Sequence, residues 1–361
     1  MKYPFYIEHT EVSRIDSVDF NNLQFGKIYS DHMFVAECRR GRWSDCRIIP
    51  YGNLYFSPAS SALHYGQIIF EGMKAFKDAE GNPLIFRPEM NFQRFNVSAA
   101  RMAMPEIPIE LWLDSLHELI YLDQEWIPRE PGCSLYIRPM MFAMDRFIGV
   151  RPAEQFKFII ITSPSGLYYP KPVKVMTTQK YVRAFEGGVG FAKAAGNYGA
   201  TMMPFKEAIA NGFDQILWTD GAEHKYIHEM GTMNVFFVID NVAITPSLDG
   251  TILDGVTRDS VIQLFKSHGV KVEERRISID EVFDAHRKGL LQDSFGTGTA
   301  ASITLISHIH HKGNTIELPP VNERPYSNSF KEELEEIKTA KKPDSFGWVV
   351  KVQSKIEVEA N

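Results

Sequence analysis

Cysteine is scarce in this sequence: Cys38, Cys46 and Cys133 are the three found in 361 residues. An odd number of cysteines at unrelated spacings fits neither a disulfide framework nor a zinc site, and it is typical of a protein from a reducing compartment. The strongest apolar run, residues 156–162, is far shorter than the ~20 residues that span a bilayer. Residues 1–16 contain no apolar core of signal-peptide length. These absences predict a cytoplasmic protein that does not enter a membrane.

An excess of positive charge is absent as well. The 39 lysines and arginines stand against 45 aspartates and glutamates, a formal net charge of -6, so no sequence-independent attraction to nucleic acid is expected. With 44% hydrophobic and 23% charged residues, the composition is that of a folded globular protein. No repeat or low-complexity segment appears. The partner that these totals favour is a small molecule.

The length of the chain, 361 residues, fits about two domains. Strand and helix patterns occur in both halves without strict alternation, which predicts a mixed α/β class. A stretch rich in proline and glycine follows the strand pattern at 156–162 and is typical of an extended connector. We therefore predict a small N-terminal α/β domain over residues 1–163, a connector over 164–174 and a large C-terminal domain over 175–361.

Capping and periodic patterns predict where several helices lie. Apolar residues recur at helical spacing after Pro88, a residue suited to a first helical position, and this stripe puts Arg94 next to the buried Phe95. Thr257 is expected to cap a helix that ends at Gly269. Two capping-box patterns predict further helix starts, namely Ser278 with Glu281 and Ser329 with Glu332.

The glycine-rich stretch GGVGFAKAAGNYG, residues 187–199, contains one lysine, Lys193. A Walker phosphate loop needs its lysine directly after the last glycine and before serine or threonine, whereas Lys193 precedes Gly196. The dinucleotide fingerprint needs a third glycine where Lys193 stands. Because both nucleotide patterns fail, the small residues around Lys193 are expected to leave room for a flat ligand. Taken alone, a lysine in such a loop is more typical of a solvated turn.

A lysine that reacts with an aldehyde such as pyridoxal phosphate needs three kinds of partner: an acid for the ring nitrogen, donors for the phosphate, and groups that recognise the substrate carboxylate. Glu229 in an otherwise apolar strand is a candidate acid, because a buried carboxylate needs a cation nearby. The turns at Val256–Thr257 and Gly296–Thr299 offer donors for a phosphate. Each feature alone also fits a solvent-facing carboxylate or a plain turn, and the residues leave that open.

Six dispersed motifs together resemble one family. They occur in the family's order from near Phe25 to near Trp348, and they are HYGQIIFEGMKAFK, LYIRP, GGVGFAKAAGNYG, HEMGTMN, LDGVTR and FGTGTA. The chain resembles the branched-chain amino acid aminotransferases of the fold-type IV pyridoxal-phosphate enzymes, in particular their larger, eukaryote-like subgroup. The resemblance implies the two-domain fold of that group, a homodimer, and transfer of an amino group between leucine, isoleucine or valine and 2-oxoglutarate, which gives glutamate.

For the cofactor, pyridoxal 5'-phosphate, the resemblance implies one catalytic lysine and a set of binding residues. Lys193 matches the lysine that forms the imine and then moves the substrate proton, and Glu229 matches the acid that keeps the ring nitrogen protonated. Tyr198 matches the residue that contacts the phenolic oxygen of the cofactor. The other cofactor-binding positions are Arg94, Thr232, Val256, Thr257, Thr299 and, with a weaker match, Arg183.

For the substrates, the resemblance implies an aromatic box and one arginine. An aromatic box favours leucine, isoleucine and valine, because burying such a side chain is worth about 1.5–3 kcal/mol. Arg138 is expected to swing to the distal carboxylate of glutamate. The matching positions are Phe25, Tyr65, Phe70, Tyr136, Arg138 and Tyr168, with the amides of Ala300 and Ala301 for the α-carboxylate.

The sequence departs from the family pattern in two places. The redox-sensing CxxC of the animal members is replaced by ASIT at residues 301–304, so thiol regulation of that kind is not expected. His228 stands where threonine is expected before Glu229. The histidines at 308–311 have no acidic or cysteine partner nearby, and we interpret them as an exposed strand end, so no metal is expected.

Other functions remain open at the level of the sequence. A D-amino acid transaminase or an aminodeoxychorismate lyase would keep the fold and the cofactor, and Tyr136 with Arg138 argues against both without deciding. A ligand-binding relative without lysine chemistry is a third possibility. It is disfavoured because Lys193, Glu229 and Thr299 occur together.

Overall fold

The structure is a computed structural model that describes residues 2–166, 169 and 171–355. The described chain divides into two units, with boundaries between residues 168 and 169 and between 334 and 335. Among the described residues each unit contains a nine-stranded sheet together with helices. The mixed α/β class is therefore confirmed. Within the described ranges, every helix is too short or too polar to cross a bilayer.

The first unit is built on a largely antiparallel sheet. Its strands lie in the order β1-β3-β2-β8-β7-β5-β6, β4 pairs with β7, and β1 and β3 are parallel. The long strand β7 is bonded to both β8 and β5, so its side chains lie beside those of both neighbours. The strands are β1 Tyr6–Ile7, β2 His32–Arg39, β3 Arg42–Pro50, β4 Ile68–Phe70, β5 Met73–Lys77, β6 Pro83–Phe86, β7 Ser134–Ala143 and β8 Gln155–Ser165, and the helices are α1 Ser61–Tyr65, α2 Pro88–Arg101 and α3 Ile109–Leu122.

Helices α2 and α3 pack against the sheet and share a core with its strands. Phe95 of α2 and Trp112 of α3 are fully buried, and Trp112 stacks on Phe158 of β8 with 6.0 Å between ring centroids. Helix α2 begins at Pro88, which confirms the predicted start, and Arg94 is buried next to Phe95. One face of the sheet is thus closed by apolar packing.

The second unit is built on a mixed sheet. Its strands lie in the order β11-β10-β9-β16-β15-β12-β13-β14, with β17 paired to β16. β9 is parallel to β10 and β16, and β13 is parallel to β14. The strands are β9 Val173–Met176, β10 Gln215–Thr219, β11 Ile227–Met230, β12 Asn234–Ile239, β13 Val242–Thr245, β14 Lys271–Glu274, β15 Leu291–Thr297, β16 Ile303–His311 and β17 Asn314–Glu317, and the helices are α4 Ala195–Gly199, α5 Met202–Ala210, α6 Val256–Ser267 and α7 Ile279–Arg287.

The helix caps agree with one of the three capping predictions. The Ser278 hydroxyl accepts a hydrogen bond from the Glu281 N–H at 3.0 Å and caps α7, as predicted. Helix α6 has Gly255 as its N-cap, so the prediction that Thr257 caps it is wrong. Ser329 lies inside the last helix, which begins at Ser327, so that capping box is wrong as well. A serine or threonine within the first turn gives the same short sequence pattern as one that precedes it.

The C-terminal segment returns to the first unit. Helix α8, Ser327–Lys338, is followed by strand β18, Val349–Lys351, which pairs antiparallel with β6. The Trp348 ring meets Phe86 edge-on with 5.7 Å between centroids. This grouping of residues 335–355 with the first unit differs from the expected single domain over 175–361. A strand of three residues carries no periodicity from which its partner could be predicted.

The histidines of β16 are hydrogen-bonded within the fold. His311 is buried and its Nδ1 lies 2.8 Å from the Thr177 hydroxyl, while His310 Nδ1 lies 2.8 Å from the Thr315 hydroxyl. The interpretation as an exposed strand end is therefore wrong for His311, because β16 continues between β9 and β17. Among the residues that the structure describes, no group of His, Cys, Asp or Glu side chains is arranged to hold a metal ion.

Candidate active site

Lys193 lies two residues before the start of α4, and Tyr198 lies within that helix. The Nζ atom of Lys193 donates a hydrogen bond to the Tyr198 hydroxyl at 3.2 Å, and both residues are half-buried. Asn197 fixes the loop, because its side-chain amide donates to the carbonyl oxygens of Val189 and Ala192, each at 2.9 Å. The amine and the phenol are therefore held as a pair by the folding of the loop.

The small residues of the glycine-rich loop serve the packing of the loop itself. Gly190 lies against the segment at Thr251, and a Cβ atom on it would collide with the Thr251 carbonyl oxygen and with Ala184. Ala192 and Ala194 are almost completely buried. Protein neighbours therefore set the size of the residues at these three positions, and the expectation that the small residues near Lys193 leave room for a flat ligand stays a prediction.

Glu229 is a buried carboxylate on β11 that faces a backbone N–H and a guanidinium. Its Oε1 atom accepts a hydrogen bond from the Leu253 N–H at 2.8 Å and lies 3.2 Å from a terminal nitrogen of Arg183. The exposed fractions of the Arg183 and Glu229 side chains are 8% and 3%. A carboxylate this deeply buried stays charged only with such partners. The arrangement keeps a negative charge inside the unit, as the binding of a protonated ring nitrogen requires.

Arg183 is engaged by the protein's own acceptors. Besides Glu229, its guanidinium donates to the carbonyl oxygen of Gly190 at 3.1 Å and to that of Thr251. This position differs from the phosphate-binding role expected for Arg183. The sequence holds no signal that separates the two roles, because a guanidinium suits a carboxylate and a phosphate equally.

The start of α6 offers backbone donors to an anion. Its N-cap is Gly255, which has no side chain to accept from the first turn, and the N–H groups of Val256 and Thr257 lie at this positive end of the helix. The Thr257 hydroxyl donates to the Gly298 carbonyl oxygen at 3.2 Å, which joins the helix start to the bend between β15 and β16. Half-buried in that bend lie Thr299, Ala300 and Ala301.

In the first unit, one arginine and three aromatic rings form a cluster. Arg138 donates to the Tyr136 hydroxyl at 2.6 Å, and its guanidinium lies 4.5 Å from the ring centroid of Phe70. The Phe25 ring meets Tyr136 edge-on, with 4.8 Å between centroids. A Cβ atom on Gly72 would meet the Tyr136 hydroxyl, so the end of the Tyr136 side chain fills the space beside this glycine. The cluster joins an apolar surface to a single cation.

Arg94 is held by a carboxylate of its own unit. Its Nε atom and a terminal nitrogen donate to Glu71 at 2.7 and 2.8 Å. The Asn91 side chain donates to the same carboxylate at 2.7 Å, and Glu71 is fully buried. A two-point bond of this kind fixes the plane of the guanidinium.

The remaining expected site residues are less enclosed. Tyr65 at the end of α1 is 41% exposed. Thr232 is exposed in the turn between β11 and β12. Tyr168 lies outside the residues that the structure describes. Neither Tyr65 nor Thr232 is therefore buried with the groups above.

His228 faces a cavity on the opposite side of β11 from Glu229, because neighbouring strand residues point to opposite faces. The cavity has a volume of about 530 Å³ and is also lined by Thr251, Asp249 and Arg276. The Nδ1 atom of His228 lies 3.5 Å from the Thr251 hydroxyl. Burial lowers the pKa of His228 below its usual range, which favours the neutral imidazole.

Three residues that sequence reasoning does not single out hold the candidates in place: Glu71, Gly72 and Asn197. Glu71 carries the same signal as Glu229, a carboxylate in an apolar strand beside a glycine, within IIFEGMK. Gly72 and Asn197 carry no comparable signal. Their roles arise when the chain closes on itself and brings the Tyr136 hydroxyl and the loop carbonyls to them.

The sequence of this chain is similar to those of a known enzyme family. The sequence profile of the family described as amino-transferase class IV matches residues 68–309. The branched-chain-amino-acid transaminase 1 of Bacillus subtilis is 44% identical over 339 residues, which cover 92% of this chain and 95% of that protein. The family match therefore includes both Lys193 and Glu229.

Solved structures are similar to this chain over nearly the same length. A branched-chain amino acid aminotransferase of Escherichia coli has a TM-score of 0.73 and 26% identity, covering 90% of this chain and 99% of that one. A branched-chain aminotransferase of the archaeon Thermoproteus uzoniensis, solved with norvaline, has a TM-score of 0.72 and 25% identity, covering 89% of this chain and 100% of that one.

Proposed function

The chain belongs to the class IV aminotransferases and, within them, to the branched-chain amino acid aminotransferases, and we propose how its own residues perform that reaction. The enzyme moves an amino group between leucine, isoleucine or valine and 2-oxoglutarate. Its cofactor, pyridoxal phosphate, supplies an aldehyde that takes up the amino group and a ring that withdraws electrons from the reacting carbon. The chain must supply a nucleophile, a base, an acid and specificity.

The residues of the second unit fit this cofactor in three respects. An amine and a phenol stand side by side at Lys193 and Tyr198. A buried carboxylate is held at Glu229. The start of α6, with glycine as its N-cap, can receive a phosphate. The proposed cofactor-binding residues of this unit are Lys193, Tyr198, Glu229, Thr232, Val256, Thr257 and Thr299.

Lys193 is the proposed nucleophile and base. Its Nζ atom has a defined position because it bonds to the Tyr198 hydroxyl at 3.2 Å. From that position it would take a proton from the α-carbon of the substrate and deliver it to the aldehyde carbon of the cofactor, which is general acid–base work. This bond, inside the range matched by the family, is the observation that carries the proposal.

Glu229 is the proposed partner of the ring nitrogen. Its carboxylate is buried and bonded to the Leu253 N–H, so it is held in one orientation. A fixed negative charge in a buried site retains a proton on a neighbouring nitrogen much more strongly than the same charge in water. In the first unit, Arg94 is the proposed phosphate-binding arginine, and Glu71 holds its guanidinium.

The aromatic cluster of the first unit is the proposed source of specificity. Phe25, Phe70 and Tyr136 present apolar rings that favour a branched side chain. Arg138 stacks over Phe70 and bonds to Tyr136, and it is the cation that we propose for the distal carboxylate of 2-oxoglutarate and glutamate. The proposed substrate set is completed by Tyr65, Tyr168 and the amides of Ala300 and Ala301.

The test of the proposal is a pair of measurements on purified enzyme. Lys193→Ala is expected to lower turnover of L-leucine with 2-oxoglutarate by about 10⁴-fold or more and to remove the yellow absorbance of the bound cofactor. In a single turnover, L-leucine is expected to bleach the wild-type absorbance, whereas D-alanine is not. Bleaching by D-alanine alone would assign the chain to the D-amino acid transaminases instead.

We also propose that the enzyme is a homodimer. The loop over residues 147–150 adjoins α1, since the Ser61 N–H donates to the Asp145 carbonyl oxygen, and both carry exposed apolar side chains. Ile148 is 70% exposed and Leu63 62%, and such a patch is typical of an interface. Sedimentation of Ile148→Lys is expected to show monomer, with Val12→Lys, at another exposed apolar residue, as the control. A wild-type enzyme that sediments as a fully active monomer would exclude the dimer.

The cytoplasm is the compartment that we propose for the reaction. Cys38, Cys46 and Cys133 are all free thiols, and burial raises the pKa of Cys46 to about 11, which makes it unreactive. A protein with unpaired buried cysteines is typical of a reducing compartment. Fractionation of cells that express a tagged chain tests this assignment.

A further inference from the structure

Arg183 joins three segments of the second unit that carry proposed cofactor residues. Its guanidinium lies 3.2 Å from Glu229 Oε1, donates to the Gly190 carbonyl oxygen at 3.1 Å and donates to the Thr251 carbonyl oxygen. Gly190 lies three residues before Lys193, and Thr251 lies shortly before the start of α6. One buried cation thus touches the strand of the carboxylate, the loop of the lysine and the segment that leads to the phosphate-binding turn.

The chemistry of this contact requires an arginine. The three acceptors approach from different parts of the chain, and a planar guanidinium with several fixed donors can meet them together, whereas an ammonium is a single compact charge. The three segments are pressed together, since a Cβ atom on Gly190 would collide with the Thr251 carbonyl oxygen. A shift of Arg183 therefore changes the spacing of the lysine loop and the carboxylate at once.

The contact contributes little to the stability of the fold by itself. Among the residues that the structure describes, the buried Nε atom of Arg183 has no hydrogen-bond acceptor, and such an unmet donor lowers the stability of the fold. Buried ion pairs are in general weak contributors to stability. The pair is well suited, however, to keep Glu229 ionised and to fix the direction of its carboxylate.

We propose that Arg183 is a positioning residue that acts through Glu229: it keeps this carboxylate charged and aimed, and it ties the Lys193 loop to the segment before α6. The inference rests on the proposed role of Glu229 at the ring nitrogen. Arg183 itself touches neither substrate nor reacting atoms in this scheme. A structural arginine would stabilise the unit equally well without any effect on the protonation of the ring nitrogen.

The experiment measures that protonation directly. Holoenzyme is prepared with cofactor isotope-labelled at the ring nitrogen, and the nitrogen NMR shift is recorded for wild type, Arg183→Met, Arg183→Lys and Glu229→Gln. Glu229→Gln is expected to give the shift of a neutral ring. Arg183→Met is expected to move the signal at least halfway from the wild-type position to that of Glu229→Gln, and Arg183→Lys is expected to move it less. Cofactor release from Arg183→Met is expected to be about 10-fold faster.

A matched control comes from a second buried arginine of the same unit. The Arg324 side chain is 2% exposed, lies 3.9 Å from Asp293 and donates to the Pro319 carbonyl oxygen. Within the described part of the chain, these contacts include none of the proposed cofactor residues. Arg324→Met is expected to lower the melting temperature and to leave the nitrogen signal unchanged.

The outcomes separate the inference from the function on which it rests. If Arg183→Met keeps the wild-type nitrogen signal while Glu229→Gln moves it, the positioning role of Arg183 is overturned and the role of Glu229 stands. If Glu229→Gln leaves the signal unchanged, the proposed role of Glu229 fails. Should Arg183→Met not fold, Arg183→Lys decides: a displaced signal supports the inference, and a wild-type signal overturns it.

Discussion

The two units hold their proposed functional residues in different ways. In the second unit Lys193 bonds to the Tyr198 side chain and Glu229 pairs with Arg183, but several further partners are backbone groups. Glu229 accepts from a backbone N–H, Arg183 donates to two backbone carbonyl oxygens, and Thr257 donates to another. Backbone groups move only when the surrounding fold changes. The side chains bonded to them therefore have little rotational freedom.

In the first unit the partners are other side chains. Arg138 bonds to the Tyr136 hydroxyl and stacks over Phe70, and Phe25 rests against Tyr136. Side chains can change rotamer without a change of fold. We infer that several of the groups proposed for the cofactor in the second unit are fixed by the backbone, whereas two substrates of different polarity are matched by side chains that can rearrange.

The most damaging of the predicted substitutions adds one methyl group to the second unit, at a place where two backbone segments touch. In Gly190→Ala the new Cβ atom meets the Thr251 carbonyl oxygen, and neither segment can give way. We expect a loss of about 3 kcal/mol in the free energy of unfolding, the upper range for overpacking, together with loss of cofactor. Urea unfolding and the absorbance of the bound cofactor measure the two effects.

The matched control for this change lies in the first unit. In Gly72→Ala the new Cβ atom meets the end of the Tyr136 side chain, which can turn aside. We expect a loss of about 1 kcal/mol in the free energy of unfolding and retention of cofactor. Equal losses for the two variants would contradict the distinction between backbone-held and side-chain-held groups.

The sequence predicts much of this site because its chemistry is local. Lys193 with Tyr198, Glu229 in its strand and the turn at Val256 each lie within a short motif, and the family that these motifs resemble is confirmed by the class IV match. The mixed class follows in the same way from local patterns. Features that lie within one short motif can therefore be predicted from the sequence alone.

The remainder depends on contacts between distant segments. Arg183 meets Glu229 and Thr251, both far from it along the chain, and no local pattern encodes such pairs. The return of β18 to β6 is of the same kind, with Val350 opposite Ile85. Even the caps at Thr257 and Ser329 failed, since the first turn of a helix is fixed by packing as well as by its own residues.

The second prediction concerns Arg138 in the aromatic cluster of the first unit. Arg138→Leu removes the cation proposed for a distal carboxylate and leaves the aromatic rings. We expect kcat/KM for glutamate to fall by about 100-fold, the effect of losing a charge-assisted pair, and that for leucine to fall by less than about 5-fold. Steady-state kinetics with both amino donors give the ratio, and equal losses would exclude Arg138 as the selector.

The third prediction concerns Asp220, a carboxylate of the second unit that is bonded to backbone N–H groups. The Asp220 carboxylate accepts four backbone N–H groups, those of Ala222, Glu223, Lys225 and Tyr226. Although burial raises its pKa, these bonds lower the pKa of Asp220 to about 2. In Asp220→Asn an amide nitrogen faces two of these donors, and we expect a loss of about 2 kcal/mol at pH 7.

The stability lost in Asp220→Asn is expected to depend on pH. A carboxylate with a lowered pKa in the folded state stabilises the fold above its unfolded pKa, near 3.8, and this contribution disappears as the pH falls towards 2. The difference between wild type and Asp220→Asn is therefore expected to shrink from pH 4 downwards in urea titrations. Asp249→Asn is the control, because Asp249 receives both bonds from Thr251 on one oxygen that asparagine retains.

The mildest of the predicted changes is at Tyr136, in the aromatic cluster of the first unit. Tyr136→Phe keeps the ring that meets Phe25 and removes only the hydroxyl that accepts from Arg138. Losing one such bond is worth about 1 kcal/mol, so we expect kcat/KM for glutamate to fall by about 3- to 10-fold and that for leucine to stay within about 2-fold. Combined with Arg138→Leu, the change should have no further effect on glutamate, because the hydroxyl acts only through Arg138. An additive loss in the double variant would mean that the Tyr136 hydroxyl contacts glutamate independently of Arg138, and Arg138 would then not be the sole route by which the hydroxyl acts.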